Sequence, residues 1–453
     1  MEQLTEFSAR ASLVAVGLHF QRMGIWSVVG EHVHIRQKVL RYTPLDKLLD
    51  CLLNILAGGH GLVEINTRIR PDRAIQLAFG RTGCAEQSTI SDTLNACTPE
   101  NVEEMRAAIK VILQQHSRSY RHCYEQDWQL LDVDMTGMPA GRCGEEVTKG
   151  YFAGEKNRRG RQLGRVLASW YGEVVVDRLY NGKRQLNNCL PELVMAAEDV
   201  LALDDKRRQQ TIIRVDGGGG DDKHINWLLQ RDYQVLAKVK SWRRAAKLAA
   251  SVMDWYVDPK VTKREIGWVE QPYDYVKPTR QLALRQQKHD GSWSYHVLVF
   301  SLSDSMLFRL CEQPMPNPLR SQDVLFAALH AYDRRGGGLE TQNRADKQGL
   351  GLTHRNKHRF AAQEMLVLLA QLAHNLVIWT RNDLAQADQR LATYGIQRTV
   401  RDALQIPGSI QVDPDGHIQR IILNGRHPLA PAFHRAFAPM LARDDLSPIL
   451  GKN

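Results

Sequence analysis

The sequence predicts a mixed α/β protein, on three observations. Between residues 127 and 240, short apolar and β-branched runs alternate with segments of helical periodicity. The first 120 residues carry helical periodicity with almost no strand pattern. Two of the short apolar runs carry aspartates at or near their ends, "LLDVDMTG" and "TIIRVD".

Taken in order, residues 1–120 form a helical N-terminal domain. "LDKLLDCLLNILAGG" has apolar residues at helical spacing and a Gly-Gly stop. "STISDTLNACTPENVEEMRAAIKVILQQ" reads as two helices, with Ser88 as N-cap of the first and Thr98-Pro99 opening the second. A tight pair of short helices suits either a helix-turn-helix DNA reader or a packing bundle. Residues 121–240 open on a strand in which Leu131 and Val133 face one way and Asp132 and Asp134 the other. Two strands follow, joined at Tyr171-Gly172-Glu173, then a helix at 189–203, the strand "TIIRVD" (211–216), the helix "DKHINWLLQRD" and the strand "YQVLAKVK". Three strands, helix, strand, helix, strand is the order of an RNase H-like domain, a mixed sheet flanked by helices. Residues 241–320 are strand-rich and irregular, an inserted β-rich subdomain. Residues 321–400 supply return helices, with a helical region at about 338–381 after the Pro-rich connector 314–318. A C-terminal subdomain, 401–453, holds a hairpin at "DPDG" (413–416).

The composition narrows the partners. The 453 residues are 43% hydrophobic and 24% charged, ordinary for a globular chain, but the net charge is +10 and the pI about 9.2. That excess of cations favours a polyanion. The longest apolar helical stretch, 366–379, is interrupted by Gln371, His374 and Asn375, and the N-terminus lacks a signal pattern. A cytoplasmic location with no membrane partner is therefore expected. Seven scattered cysteines, never spaced C-x-x-C, argue against a disulfide framework or a Cys zinc site. His354 and His358 share a helical face, but Arg355, Lys357 and Arg359 surround them and repel a metal.

"RVDGGGGDDKH" (214–224) is the most unusual stretch. A phosphate-binding loop needs Gly-Lys-Ser/Thr after its glycines, and Asp221-Asp222 stands there instead. The dinucleotide fingerprint fails too, its third glycine falling on Asp222. Asp221 and Asp222 suit the first turn of a helix, and the glycines read as slack and clearance for a ligand at the strand end. Asp216, ending the strand, suits metal ligation. Mg²⁺ is hard and takes carboxylate and phosphate oxygens. Two ions, Mg²⁺ or substituting Mn²⁺, suit phosphodiester cleavage when carboxylates from separate elements converge on one sheet edge. Asp134 and Asp216 sit on strands that this topology makes neighbours; Asp132, on the same face as Asp134, is the alternative first ligand. Glu340 is the third candidate, with Lys347 two helical turns on and on the same face.

These motifs resemble the DDE transposases of bacterial insertion sequences, over roughly residues 125–380. Asp134-Met135-Thr136 matches the first acid, Val215-Asp216-Gly217 the second, and Tyr332, Arg335, Glu340 and Lys347 the signature around the third. Four residues rather than three separate Arg335 from Glu340, and the extra one falls in the glycine run 336–338, where a loop can absorb it before the helix. The resemblance implies Mg²⁺-dependent cleavage at element ends and strand transfer into target DNA. It places Tyr332, Arg335 and Lys347 near end phosphates, and implies double-stranded DNA as partner, with terminal inverted repeats and target as substrates. A hairpin intermediate is also implied, and a dimer on DNA suits concerted cutting of two ends. Basic clusters agree: Lys149, Lys156, Arg158, Arg159, Arg161 and Arg165; Lys238, Lys240, Arg243, Arg244 and Lys247; Arg355, Lys357 and Arg359. Trp268 and Trp293 read as core or surface aromatics with stacking on a flipped base as the alternative. The competing readings are a non-catalytic DNA-binding descendant of such an enzyme, and a two-metal nuclease that cuts without joining.

Overall fold

The protein is described by a computed structural model covering residues 4–39, 41–152, 155–442, 446 and 448–451; the side chains of 151 and 155–157 lie outside the described set. The chain forms two compact units. One comprises Met1–His116, Met138–Thr148 and Gln342–Asn453, the other Ser117–Gly137 and Lys149–Thr341.

The first unit is helical. Its helices Pro44–Leu56, Gln87–Ala96, Pro99–His116 and Ala430–Leu441 pack on Phe360–Ala387. Thr43 and Asp46 form a capping box at the start of the first of these, with Pro44 inside the first turn. Helix Gln87–Ala96 begins one residue before the expected cap, Ser88. Phe360–Ala387 is long and apolar enough to cross a membrane, but its most apolar window is wholly buried, so it is the core helix of this unit. Gln371, His374 and Asn375 are buried with it, and His374 Nδ1 lies 2.8 Å from Asp346. A four-stranded sheet completes the unit, in the order Leu4–Ser8, Gly408–Val412, Ile418–Leu423, Ile449–Leu450. Its central hairpin turns through "DPDG", where Gly416 takes a φ of 91°.

The second unit is a single sheet covered on both faces. Its strands are β1 (Gln129–Pro139), β2 (Thr148–Phe152), β3 (Glu155–Ala168), β4 (Glu173–Asn181), β5 (Thr211–Val215), β6 (Gln234–Lys238), β7 (Tyr256–Val257), β8 (Arg264–Trp268), β9 (Arg280–Gln287) and β10 (Trp293–Phe300). Their order is β2-β3-β1-β5-β6-β10-β9-β8-β7, with β4 paired to β3. An antiparallel β3–β4 hairpin, closed at Gly172 (φ 67°), followed by parallel β1–β5–β6, is the RNase H-like arrangement. The strands of 241–320 do not make a sheet of their own. β10 pairs antiparallel with β6, and β9, β8 and β7 follow it outward. The insertion lengthens the core sheet because β6 would otherwise be an open edge.

Alternation sorts the two faces. Leu131, Val133, Ile213, Val215, Val235 and Ala237 point into one core, shared with helices α1 (Leu190–Leu201), α2 (Asp222–Gln230) and α3 (Trp242–Ala249). Leu130, Ile212, Leu236, Leu298 and Phe300 point into the other, shared with α4 (Asp304–Leu310) and α5 (Ser321–Arg335). Burying each such side chain stabilises by roughly 1.5–3 kcal/mol.

One expectation is corrected at the glycine runs. Helix α5 already starts at Ser321, and no loop interrupts it at 336–338. Gly336–Glu340 forms one π-helical turn that runs straight into helix Thr341–Gly349. An extra residue inside a helix is accommodated by widening one turn to i→i+5 bonding, and glycines let the backbone do so without side-chain crowding. In the second run, Gly217–Gly220, the last glycine clears the protein's own backbone, since a Cβ on Gly220 would lie 1.8 Å from the Lys238 carbonyl, while Gly218 lines a cavity beside Asp216. Gly220→Ala should therefore destabilise the protein by at least about 2 kcal/mol, read as the shift of the urea midpoint, since the loop must part from β6.

Candidate active site

The site is built around a buried ion pair. Asp132 on β1 lies opposite Arg214 on β5 in the parallel register. Arg214 Nε and Nη2 donate to Asp132 Oδ1 and Oδ2 at 2.6 and 2.7 Å, and Ser169 Oγ donates to Oδ2. Arg214 Nη1 also donates to the Ala331 carbonyl on α5. Every oxygen of Asp132 is thereby occupied and the residue has no exposed surface. That removes it as the alternative first metal ligand, because a bidentate guanidinium already fills its coordination sites.

Two residues further along each strand stand Asp134 and Asp216. The β1–β5 register runs through Val133↔Val215 and sets them opposite one another one step beyond. Asp134 is partly buried, and burial, reinforced by the charges of Asp216 and Glu340, pushes its carboxyl up to about 6 against the pull of Arg335 and the Met135 amide. Asp216 Oδ1 accepts from the Gly218 amide at 2.8 Å. The π turn brings Arg335 and Glu340 onto one face. Arg335 Nη1 donates to Glu340 Oε1 at 3.0 Å, and its Nη2 lies 2.8 Å from Asp134 Oδ2. Leu339 anchors the turn from the other side, buried against Leu167 and Val174. Arg335 is 5% exposed, and its Nε has no hydrogen-bond acceptor among the described residues.

Tyr332 packs at the edge of the α5 core, and its hydroxyl is held protonated by burial and by the charges of Asp216, Asp134 and Glu340. Lys238, at the end of β6, is half-buried; burial and the charge of Arg335 lower its ammonium, with Asp216 opposing. The structure thus gathers Asp134, Asp216, Glu340, Tyr332, Arg335 and Lys238. The three acids do not close to metal-cluster distances, since the Arg335 guanidinium stands between Asp134 and Glu340. As a donor set, three carboxylates on rigid element ends, with a raised carboxyl that lacks a full countercharge, fit a hard divalent ion.

The remaining sequence candidates fall elsewhere. Arg158 and Arg159 are exposed on β3, as are Lys240 and Arg243 beyond β6; Arg243 lies over the Trp242 ring. Arg161 is corrected: at 1% exposed it is inside the sheet and cannot meet DNA. Arg165 of the same cluster is likewise buried, paired with Asp177. Lys156 lies outside the described side chains. Arg244 pairs with Asp222 and covers Tyr273. Arg355 is also corrected: buried in the first unit, it donates to the carbonyls of Leu350, Gly351 and Gly59. Lys357, in that unit too, is half-buried and donates to Ser91. Lys347 is half-buried in the first unit. Asp221 caps α2 by accepting from the His224 amide. Trp268 donates to Ser321, and Trp293 stacks on Arg285, so both are engaged within the protein.

One group escaped the sequence reading. Asp413, Asp415 and His417 come within 4.8 Å of one another on the hairpin turn of the first unit. Asp413 there accepts from the His417 amide and Gln419, which is the ordinary hydrogen bonding of such a turn.

No protein-family model matches the chain, and no curated protein matches it. Among solved structures it is similar to piggyBac transposase in a synaptic complex with hairpin DNA, at a TM-score of 0.46 and 12% identity, over 86% of this chain and 79% of that one.

Two outcomes test the electrostatics. Arg214→Ala leaves Asp132 buried and unpaired and should cost about 3–5 kcal/mol in chemical denaturation, whereas replacing the pair together by apolar residues should recover most of it. Asp134 has a folded-state value of about 6 against an ordinary 3.8. The folded protein therefore holds this proton longer than the unfolded chain, and stability falls as pH rises between the two values. Asp134→Asn should flatten that slope by on the order of 1–2 kcal/mol, measured by urea titration at pH 4.5 and 7.

Proposed function

We propose that the protein is a DNA transposase that cleaves phosphodiesters at the ends of an insertion-sequence element and joins the freed 3′-OH to target DNA, with Mg²⁺ as cofactor and Mn²⁺ able to substitute. The observation that carries this reading is the convergence of Asp134 and Asp216, on adjacent parallel strands, with Glu340, reached through the shared Arg335 guanidinium.

Asp134, Asp216 and Glu340 would hold two Mg²⁺ ions. Bound there, the ions supply Lewis-acid activation of the attacking oxygen and neutralise charge on the leaving one. The chain's own part is to position and to balance charge. The strand ends fix two carboxylates, and the π turn fixes the third on the opposing helix. Arg335, with its Nε free to donate, binds a phosphate oxygen, and Tyr332 orients that contact from its core-anchored ring. Lys238 adds a cation beside Asp216. In cleavage, water attacks the phosphorus, the P–O3′ bond breaks, and the element end keeps a 3′-OH. In joining, that hydroxyl attacks a target phosphodiester and releases a new 3′-OH. Exposed Arg158, Arg159, Lys240 and Arg243 provide phosphate contacts for duplex DNA, and two protomers acting together would cut both ends.

Asp216→Ala and Glu340→Gln should each lower end cleavage by about 1,000-fold, about 4 kcal/mol in barrier, while leaving DNA binding in a gel-shift assay within about threefold. Mapping the cut strands in Mg²⁺ with the flanking inverted repeats checks this. Undiminished cutting by Asp216→Ala would refute the assignment, and cutting with no joined product would leave a nuclease.

A further inference from the structure

Beside the acids lies a cavity of about 580 Å³ whose walls include Asp134 and Asp216 on one side and Lys149, Lys183 and Gln185 on another. Of these last three, Lys149 belongs to a basic cluster read from the sequence, while Lys183 and Gln185 do not. Lys149, Lys183 and Gln185 are all exposed. Among the described residues neither lysine makes an ion pair and the Gln185 amide makes no hydrogen bond. Their neighbour Arg184 is different, donating to the Asn188 carbonyl at 2.6 Å and lying over the Tyr180 ring, so it supports the wall.

The wall is a fixed structure. A Cβ on Gly150 would fall 2.0 Å from the Gly182 carbonyl, so the Lys149-Gly150 and Gly182-Lys183 segments are pressed backbone to backbone. Only a glycine at 150 allows that approach, and it brings both lysines onto the wall of one cavity. The cavity thus separates its charges, carboxylates towards the strand ends and ammonium groups at the rim. Its volume lies within the range of about 300–1,000 Å³ that holds small ligands, and is far too small for a duplex.

We propose that this cavity receives one unpaired nucleotide of a DNA strand end, its phosphates on Lys149 and Lys183 and its base edge on Gln185. The inference rests on the phosphodiester chemistry proposed for the neighbouring acids. A nucleotide matches the cavity in three ways. Its anionic phosphates suit two unpaired ammonium groups, its base edge suits an amide that both donates and accepts, and its size suits the volume. Lys149 and Lys183 contribute strand binding, and Gln185 contributes preference among bases.

The test compares a labelled duplex carrying a three-nucleotide single-stranded end with a blunt duplex of equal length, by fluorescence anisotropy in EDTA. Wild-type protein should prefer the unpaired end by about tenfold. Lys149→Ala/Lys183→Ala should bind both alike, with its salt slope on the overhang DNA lowered by about 1.4, since each phosphate contact to a single strand contributes about 0.7. Gln185→Ala should keep the slope and lose discrimination among terminal bases. The substituted lysines are exposed, and an unchanged thermal midpoint confirms folding. Equal wild-type affinity for both DNAs, or a preference surviving in the double variant, overturns the proposal. Because no cleavage is measured, failure of the transposase reading would show instead in the Mg²⁺ assay of Asp216→Ala.

Discussion

The buried pair between Asp132 and Arg214 is the constraint on which the rest of the second unit depends. It ties the two central parallel strands together, takes in Ser169 at the end of β3, and reaches the Ala331 carbonyl on α5. A bidentate pair in the interior tolerates little misalignment, because either charge left without its partner is very costly there. Each candidate acid is then placed by a short, stiff connection: two residues of strand from Asp132 to Asp134, two from Arg214 to Asp216, and one helix from Ala331 to Glu340. The pair is therefore a positioning device, although its residues touch none of the chemistry.

Around that anchor the site holds a deliberate imbalance of charge. Three carboxylates face one fully buried guanidinium and one half-buried ammonium. Burial, with the charges of Asp216 and Glu340 adding to it, leaves on Asp134 a carboxyl that resists ionisation even beside Arg335. A divalent ion bound as proposed would relieve that imbalance. Arg335 is held largely by charge, since its Nε finds no hydrogen-bond acceptor among the described residues.

Much of this was legible in the sequence where the signal was local. Alternation in "LLDVDMTG" and the apolar run "TIIRVD" located the two central strands, and their adjacency followed from the order of elements. Alternation could not choose between Asp132 and Asp134, because both lie on one face; the choice depends on Arg214, a partner 82 residues away. Arg161 and Arg355 show the same limit. A cation in a basic stretch reads as exposed, yet β3 turns Arg161 inward, and three backbone carbonyls enclose Arg355. Lys149 read only as one cation of a basic stretch and Lys183 did not stand out, because the Gly150 and Gly182 backbones must meet in space before the two lysines become neighbours.

The π turn at Gly336–Glu340 bears on how such chains diverge. Adding one residue to a regular helix rotates everything beyond it by about 100° and would carry Glu340 away from the strands. Widening a single turn confines that rotation to five residues, so the helix can lengthen while its two ends keep their original orientation. Spacing along the chain is thereby uncoupled from geometry in space. Chains of this architecture can then drift in the interval between Arg and Glu while the two side chains still meet, and a search that demands a fixed interval would pass them over.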